Sequence, residues 1–392
     1  MGKPPRRLDA QMTGSRFALF LTTALSIWGL VHLYVFWRLA SVPWIVEYLP
    51  RKVLVWAGVF LWLSYVLARL AGGLNWPVIA FSLEFAASVW MGLVFLMFVA
   101  LMGVDVVTLG GAVFARHAAS VRGWAVVAAV VLGGVALVQG MRAPVVTRHE
   151  VRLAGLPAER DGLRLVAISD LHLGRLLGER WLTQRVAQVN GLEPDCLVAV
   201  GDVVDGSAHH LEPLVPILRG LRAPLGVWSV TGNHEFYEGL EHSIGILHAA
   251  GWRVLRDQSV EVVPGLVLVG VDDLTARQQF GKSGDPLAAA FQDVPAGSVV
   301  FLSHSPMEAS RAAALGAGLM LSGHTHGGQI WPFNHLVALK YPLVAGRYEV
   351  DGMAVLVGRG TGTWGPPMRL WRRSEILEII LRTPLYSGSG RF

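Results

Sequence analysis

The sequence predicts two structural classes in one chain: an N-terminal transmembrane α-helical bundle and, after it, an α/β domain of stacked layers. Three observations predict this. Long apolar stretches crowd the region before about residue 141. Beyond Leu163, short apolar runs alternate with helix-patterned segments. Those runs end in clusters of Asp, Asn, Gly and His.

The membrane half comes first. Hydrophobic residues make up 53% of the 392 and charged residues 16%, against about 25% charged in an ordinary soluble domain. A span needs about 20 apolar residues, and four segments qualify: approximately Phe17–Leu39, Val53–Leu70, Pro77–Val104 and Gly123–Gln139. Ser41-Val42-Pro43, Pro50-Arg51-Lys52, Gly72 to Pro77 and Arg116-His117 separate them. Trp44, Tyr48, Trp76 and Trp124 stand at boundary positions, where amphipathic rings prefer to lie. The first segment follows Arg6-Arg7, but it is too long for a signal core and lacks a clean small-x-small cleavage site, so a retained helix is expected. The net charge of +5 is carried largely by arginines flanking these segments. No Lys/Arg run is interleaved with aromatics, so nucleic acid is not an expected partner.

Four spans put both ends on one side, and the arginine and lysine bias favours a cytoplasmic N-terminus and catalytic domain. A multi-pass protein of the cytoplasmic (inner) membrane is expected. Glu84 and Asp105, within or at the edge of the third segment, have no matching acid or base repeated in the other spans and are expected to be interfacial or helix-paired carboxylates. A transporter would need paired intramembrane charges. His32 is expected to serve packing. The domain boundaries expected are 1–141 for the membrane part and 142–385 for the α/β part. Residues 386–392, with Ser387-Gly388-Ser389-Gly390, form a flexible tail.

In the α/β half the strand candidates are Leu163–Ser169, Cys196–Gly201, Gly226–Thr231, Leu266–Val271, Ser298–Ser303 and Leu319–Gly323. Helix patterns at Glu179–Val189, Glu212–Leu218, Leu240–Ala250, Pro286–Phe291 and Pro306–Leu315 lie between several of them. Strand and helix in alternation argue for stacked layers. Glu349–Val350, Ala354–Val357 and Ile376–Leu381 predict a β-rich closing half. The one cysteine, Cys196, sits in an apolar run, so it reads as a buried structural thiol and no intramolecular disulfide is possible.

The residues that end these strands carry the chemistry. They are Ser169-Asp170-Leu171-His172, Gly201-Asp202-Val203-Val204-Asp205, Gly232-Asn233-His234-Glu235, Ser303-His304-Ser305 and Gly323-His324-Thr325-His326-Gly327-Gly328. Loops after parallel strands converge at one edge of a sheet. Carboxylate, imidazole and amide together suit transition ions, and seven or eight donors exceed what one zinc takes. A pair of ions about 3.5–4 Å apart needs a bridging carboxylate. Any one of these residues alone would read as a strand terminator or a hydrogen-bonded core histidine; five blocks in order do not.

These five blocks resemble the calcineurin-like metallophosphoesterase superfamily. Ser322 to Ile330, with Trp331-Pro332-Phe333, is similar to its membrane-associated bacterial phosphohydrolase branch. The resemblance runs from about Arg142 to Leu381 and does not reach the spans. It implies a four-layer α-β-β-α sandwich. It also implies that Asp170, His172 and His326 hold one metal, that Asn233, His304 and His324 hold the second, and that Asp202 bridges both. His234 would face the leaving group and Asp205 would orient it. The purple-acid branch has an iron-binding tyrosine where this chain has Asp205, so an iron–tyrosinate centre is not expected.

Two divalent ions, manganese, iron, zinc or similar, are therefore the expected cofactors. Sharing a water between two cations lowers its pKa to roughly 7 and yields a nucleophile for phosphorus. The expected activity is hydrolysis of a phosphodiester, phosphomonoester or pyrophosphate by that hydroxide. A lipid-linked phosphate is a candidate substrate, suggested by the anchor and by Trp364, Pro366-Pro367 and Trp371. The alternative is a membrane sensor or scaffold that keeps the domain for binding only; the complete ligand set argues against it. Arg277, Lys282, Arg347, Arg359 and Arg369 read first as solvated surface charges rather than phosphate holders.

Overall fold

The computed structural model of the chain describes residues 14–71, 76–206 and 208–384. It divides into two compact units, one of Met1–Met141 with Gly365–Trp371 and one of Arg142–Trp364 with Arg372–Phe392. The expected tail, 386–392, and Lys3, Arg6 and Arg7 lie outside the described residues.

The helical unit contains Gly14–Leu39, Arg51–Ala71, Pro77–Thr108 and Ala115–Met141, with the short helix Pro43–Tyr48 between the first two. Among the described residues three helices are long and apolar enough to cross a membrane: Arg51–Ala68, Pro77–Gly111 and Ala115–Met141. Pro77 opens its helix at a position where the missing N–H costs nothing. Leu109, left-handed at φ 47°, closes it, its N–H bonding back to Asp105 O and Val106 O. Arg116, His117 and Arg122 lie inside the helix Ala115–Met141, not in the turn before it, so that helix starts earlier than its apolar run.

Asp105 is a helix-paired carboxylate, with bases supplied by other helices after all. Tyr34 Oη donates to its Oδ2 at 2.6 Å and Arg122 Nε to its Oδ1 at 3.0 Å. Arg38 Nε lies 2.5 Å from Oδ2. The three partners come from two other helices, a separation in sequence that hid the pairing. His32 is a packing residue: Nδ1 is 2.9 Å from Trp28 O and Nε2 accepts from Trp90 Nε1 at 2.9 Å.

Among its described residues the α/β unit contains twelve strands in two sheets: β1 (Val145–Arg152), β2 (Arg164–Ile168), β3 (Cys196–Val200), β4 (Val227–Val230), β5 (Arg253–Val254), β6 (Gln258–Val263), β7 (Gly265–Gly270), β8 (Gly297–Leu302), β9 (Ala317–Ser322), β10 (Gly346–Val350), β11 (Met353–Val357) and β12 (Glu375–Arg382). The sheet orders are β1-β12-β2-β3-β4-β5 and β10-β11-β9-β8-β7-β6. β2, β3, β4 and β5 run parallel, as do β7, β8, β9 and β11.

Alternation builds the layers. Leu165, Ala167, Val198 and Val200 of the first sheet meet Leu268, Val300, Leu302, Leu319 and Leu321 of the second in one core. The opposite faces, Val166, Ile168, Leu197 and Ala199, pack under Leu182, Val189, Ile246 and Leu247 of helices Glu179–Asn190 and Leu240–Ala249. Val267, Val269, Val299 and Phe301 pack under helical Leu274, Leu287, Ala290 and Ala312. The result is the α-β-β-α sandwich. Strands buried on both faces read as unbroken apolar runs, which is why their sequence signal is strong.

β10, β11 and β12 are the strands expected of the closing half, but β12 does not share their sheet. It leaves β10 and β11 and crosses to the first sheet, parallel to β1 and antiparallel to β2. Ile376, Leu377, Ile379 and Leu381 are buried on its two faces, a demand that only an interior position meets. Two helix expectations also shift: Glu212–Leu218 divides into a 3-10 turn and Val215–Leu218, and the later helix begins at Ala309 rather than Pro306.

Candidate dinuclear metal centre

Every proposed ligand follows the C-terminal end of a parallel strand: Asp170 and His172 after β2, Asp202 and Asp205 after β3, Asn233 and His234 after β4, His304 after β8, His324 and His326 after β9. Both sheets therefore deliver side chains to one place. The backbone turns sharply there. Asp170, His172, Asp202, His324 and His326 all have positive φ, between 46° and 70°. Each such residue costs of order 1–3 kcal/mol unless its surroundings impose it. Gly232 and Gly323 have another reason to be glycine: a Cβ on the first would strike the Asp202 carboxylate, and on the second the Asp170 carboxylate.

The side chains form two adjoining groups. In one, His172 Nε2 and His326 Nε2 are 3.0 Å apart, and His326 Nε2 is 3.4 Å from Asp170 Oδ1. In the other, His304 Nε2 is 3.1 Å from Asp202 Oδ2, and His324 Nδ1 is 2.8 Å from Asn233 Oδ1. Asp202 Oδ2 is also 3.8 Å from His172 Nε2, so this carboxylate lies between the groups. Its Oδ1 accepts from His234 N at 2.8 Å.

The donors fit cations. His304 Nδ1 is 2.7 Å from Val200 O and must donate its proton there. That leaves Nε2 facing a carboxylate oxygen, with both residues at most 2% exposed. His304 Nε2 and Asp170 Oδ2 are buried without a hydrogen-bond partner. Such orphans are costly unless something positive joins them. Electrostatics says the same. Burial alone would depress the His304 imidazole, but Asp202 and Asp170 outweigh it and hold it well above the usual range. For Asp170 burial dominates and Asp202 adds to it, raising its carboxyl; for Asp202 the histidines overcome burial and hold it low. Burial and the neighbouring His304 push His324 down to about 4, the neutral form a ligand needs. The cluster fits two divalent ions.

His234 stands beside these groups. Its Nδ1 is 3.2 Å from Asp205 Oδ1. Burial opposes its charging, but Asp202 and Asp205 raise it to about 9. The other Asp205 oxygen is 3.2 Å from His172 Nδ1, so one carboxylate touches both a prospective ligand and His234. Trp364 approaches the His234 ring edge-on at 6.1 Å. Its backbone is tied to Gln329 by two hydrogen bonds, Gln329 Nε2 to Trp364 O at 2.9 Å and Trp364 N to Gln329 Oε1 at 3.0 Å.

Glu235 has a role that the sequence reading did not assign. Fully buried, it accepts from Gly232 N (2.6 Å), Val203 N (2.8 Å), Asp202 N (3.0 Å) and Val204 N (3.2 Å). It clamps the loops after β3 and β4 together. The signal was present in Gly-Asn-His-Glu, where a carboxylate three residues after Gly232 can turn back on its N–H. Of the five cations weighed for phosphate, Arg277 pairs with Asp257 at 2.8 Å and Arg359 with Glu375 at 2.9 Å. Arg347 donates to Glu150 O, and Lys282 is exposed. Arg369 is 0% exposed and lies in the helical unit, so it is no surface charge.

With this geometry in hand, comparison with known proteins is informative. The profile described as "Calcineurin-like phosphoesterase" matches residues 163–328. A protein of Aquifex aeolicus, "Uncharacterized metallophosphoesterase", is 34% identical over 244 residues, covering 60% of this chain and 91% of that one. "Transmembrane protein with metallophosphoesterase domain" from Bos taurus is 37% identical over 273 residues, 66% of this chain and 62% of that one. The chain thus spans less than two thirds of that relative's length. A solved dimetal phosphatase from Danio rerio covers 51% of this chain and 88% of its own at 13% identity, with a TM-score of 0.34, a likeness too loose to carry weight.

Proposed function

We propose that this chain, which belongs to the calcineurin-like metallophosphoesterase family, is a membrane-anchored hydrolase of a phosphate ester or anhydride. Asp170, His172 and His326 hold one divalent ion, Asn233, His304 and His324 hold the other, and Asp202 serves both. Bound there, the two ions supply positive charge for the phosphoryl oxygens and activation of the attacking water. His234 protonates the departing oxygen, and Asp205 keeps its ring turned towards that task. The observation that carries the reading is the buried cluster in which Asp170, Asp202 and the imidazoles converge while Asp170 Oδ2 and His304 Nε2 have no hydrogen-bond partner, an arrangement that calls for positive charge.

Manganese-dependent release of p-nitrophenol from bis-p-nitrophenyl phosphate by the detergent-solubilised chain tests it. Turnover that a chelator abolishes and manganese restores is expected; turnover indifferent to chelation, or none with metal bound, overturns it.

The finer reading is a lipid-linked phosphate, cleaved by a multi-pass protein of the inner membrane whose α/β domain, residues 142–385, lies in the cytoplasm. Its supports are the apolar helices and the aromatic rim at Trp364. Hydrolysis of a lipid-linked ester well above that of a soluble ester in the same mixed micelles is the expected result. Equal rates would remove the lipid preference. Protease protection of the α/β domain in inside-out but not right-side-out vesicles would contradict the cytoplasmic placement.

A further inference from the structure

Behind His324 lies a line of buried polar groups that takes no part in the proposed chemistry. His324 Nε2 is 2.9 Å from Tyr341 Oη, Tyr341 Oη is 3.0 Å from Thr275 Oγ1, and Thr275 Oγ1 is 2.7 Å from Ser305 Oγ. Ser305 Oγ donates to Asp273 Oδ1 at 2.5 Å. Asp273 and Ser305 are 0% exposed, Thr275 4% and Tyr341 7%. Asp273 follows β7, Ser305 follows β8 and His324 follows β9. Three neighbouring strands of the second sheet thus bring the line together.

The line has a direction. A carboxylate only accepts, whereas each hydroxyl has one proton to give. The second Asp273 oxygen already takes Ala276 N at 2.6 Å. Ser305 must therefore give its proton to Asp273, and it is free to accept from Thr275. Thr275 gives its proton to Ser305 at 2.7 Å rather than to the weaker acceptor Met307 Sδ at 3.7 Å, and so accepts from Tyr341. Tyr341, having donated to Thr275, accepts from His324, so the ring proton sits on Nε2. Nδ1 is then a bare lone pair, on the side of the ring where Asn233 Oδ1 stands at 2.8 Å. Neutral imidazole has two tautomers, and the hydrogen bond at one nitrogen decides which atom a metal can take.

We infer that Tyr341, Thr275, Ser305 and Asp273 are positioning residues that hold His324 in the Nε2–H tautomer and so make its Nδ1 a permanent ligand atom for the second ion. The inference rests on the reading of His324 as a ligand. It adds that this ligand's protonation pattern is set by a carboxylate four hydrogen bonds away. It also explains why Thr275, Ser305 and Tyr341 are polar although each is buried. An apolar replacement at any of them cuts the line, whereas Asp273→Asn can reverse it. An amide nitrogen facing Ser305 donates, so each hydroxyl can turn and Tyr341 can give its proton to Nε2.

The test is manganese binding by the full chain in detergent, by equilibrium dialysis with metal analysis and without substrate. Wild type, Tyr341→Phe, Thr275→Val and Asp273→Asn are compared. Wild type takes two ions. Tyr341→Phe and Asp273→Asn keep the first ion's affinity and bind the second roughly 10- to 100-fold more weakly; Thr275→Val shifts in the same direction. Thermal unfolding of each metal-free variant shows whether it is folded, and Thr275→Val keeps the side-chain shape should Tyr341→Phe fail to fold. Folded variants that bind both ions with wild-type affinities overturn the relay. Equal weakening of both ions also overturns it, because it marks a general structural defect. Wild type binding fewer than two ions instead overturns the ligand assignment beneath it.

Discussion

The chain buries carboxylates in both of its units and treats them in opposite ways. In the helical unit Asp105 is saturated by Arg38, Arg122 and Tyr34. Its partners are cationic or hydroxylic, and each comes from a helix that the contact ties to the next. In the α/β unit Asp170 and Asp202 face imidazoles, with Asp170 Oδ2 and His304 Nε2 left without hydrogen-bond partners. Five of the residues there hold positive φ. A buried charge that the protein satisfies by itself fastens helices. A buried charge that it leaves unsatisfied, on a backbone bent to keep it so, is reserved for a ligand.

This contrast can be broken at either end. The largest effect is expected from Asp202→Ala, which removes the carboxylate between the two groups: both ions are lost by metal analysis and turnover falls to background. Full metal occupancy in that variant would refute the bridging role. His234→Ala comes next. It is expected to keep both ions and to lower kcat about 10²- to 10⁴-fold, and loss of metal together with rate would make His234 a ligand instead. In the helical unit Asp105→Asn leaves two buried guanidinium groups without their counter-charge and should cost about 3–5 kcal/mol. Thermal unfolding in detergent measures that, while metal content stays at the wild-type value. Arg38→Met is the mildest, because a one-to-one Asp105–Arg122 pair survives. Its cost combines one lost contact to Asp105 with the stacking of Arg38 over Trp37, 3.8 Å from the ring centroid, the stacking being worth about 0.5–2 kcal/mol. If Arg38→Met proves as damaging as Asp105→Asn, the helical cluster is not a saturated one.

What the sequence reveals, and what it hides, follows the same physics. β2, β3, β4, β7, β8 and β9 are legible because burial on both faces leaves unbroken apolar runs. β1 and β6 lie at sheet edges; alternate residues of β1 are exposed, and no residue of β6 is fully buried. Val-Val-Thr-Arg-His-Glu-Val-Arg therefore carries too little apolar signal to stand out. The metal-site residues are legible because each ends a strand candidate, and all but His304 share a short block with a glycine or a second ligand. Asp273 with Thr275, Ser305, and Tyr341 lie in three separate stretches of the chain, and only folding brings them together. The partners of Asp105 are hidden for the same reason, since Arg38 and Arg122 belong to other helices and read as flanking charges of other spans.

The pairing of β1 with β12 has a consequence for biosynthesis. Val145 lies opposite Glu375 and Arg152 opposite Arg382, so the strand that follows the last long helix stays unmatched until its mate emerges from the ribosome, 230 residues later. β12 also flanks β2, the strand that presents Asp170. Translation stopped short of residue 375 would leave β2 as a raw sheet edge, ready to pair with another chain. The nascent protein must therefore carry this open edge through most of its synthesis, and surveillance of truncated products has a ready mark to read.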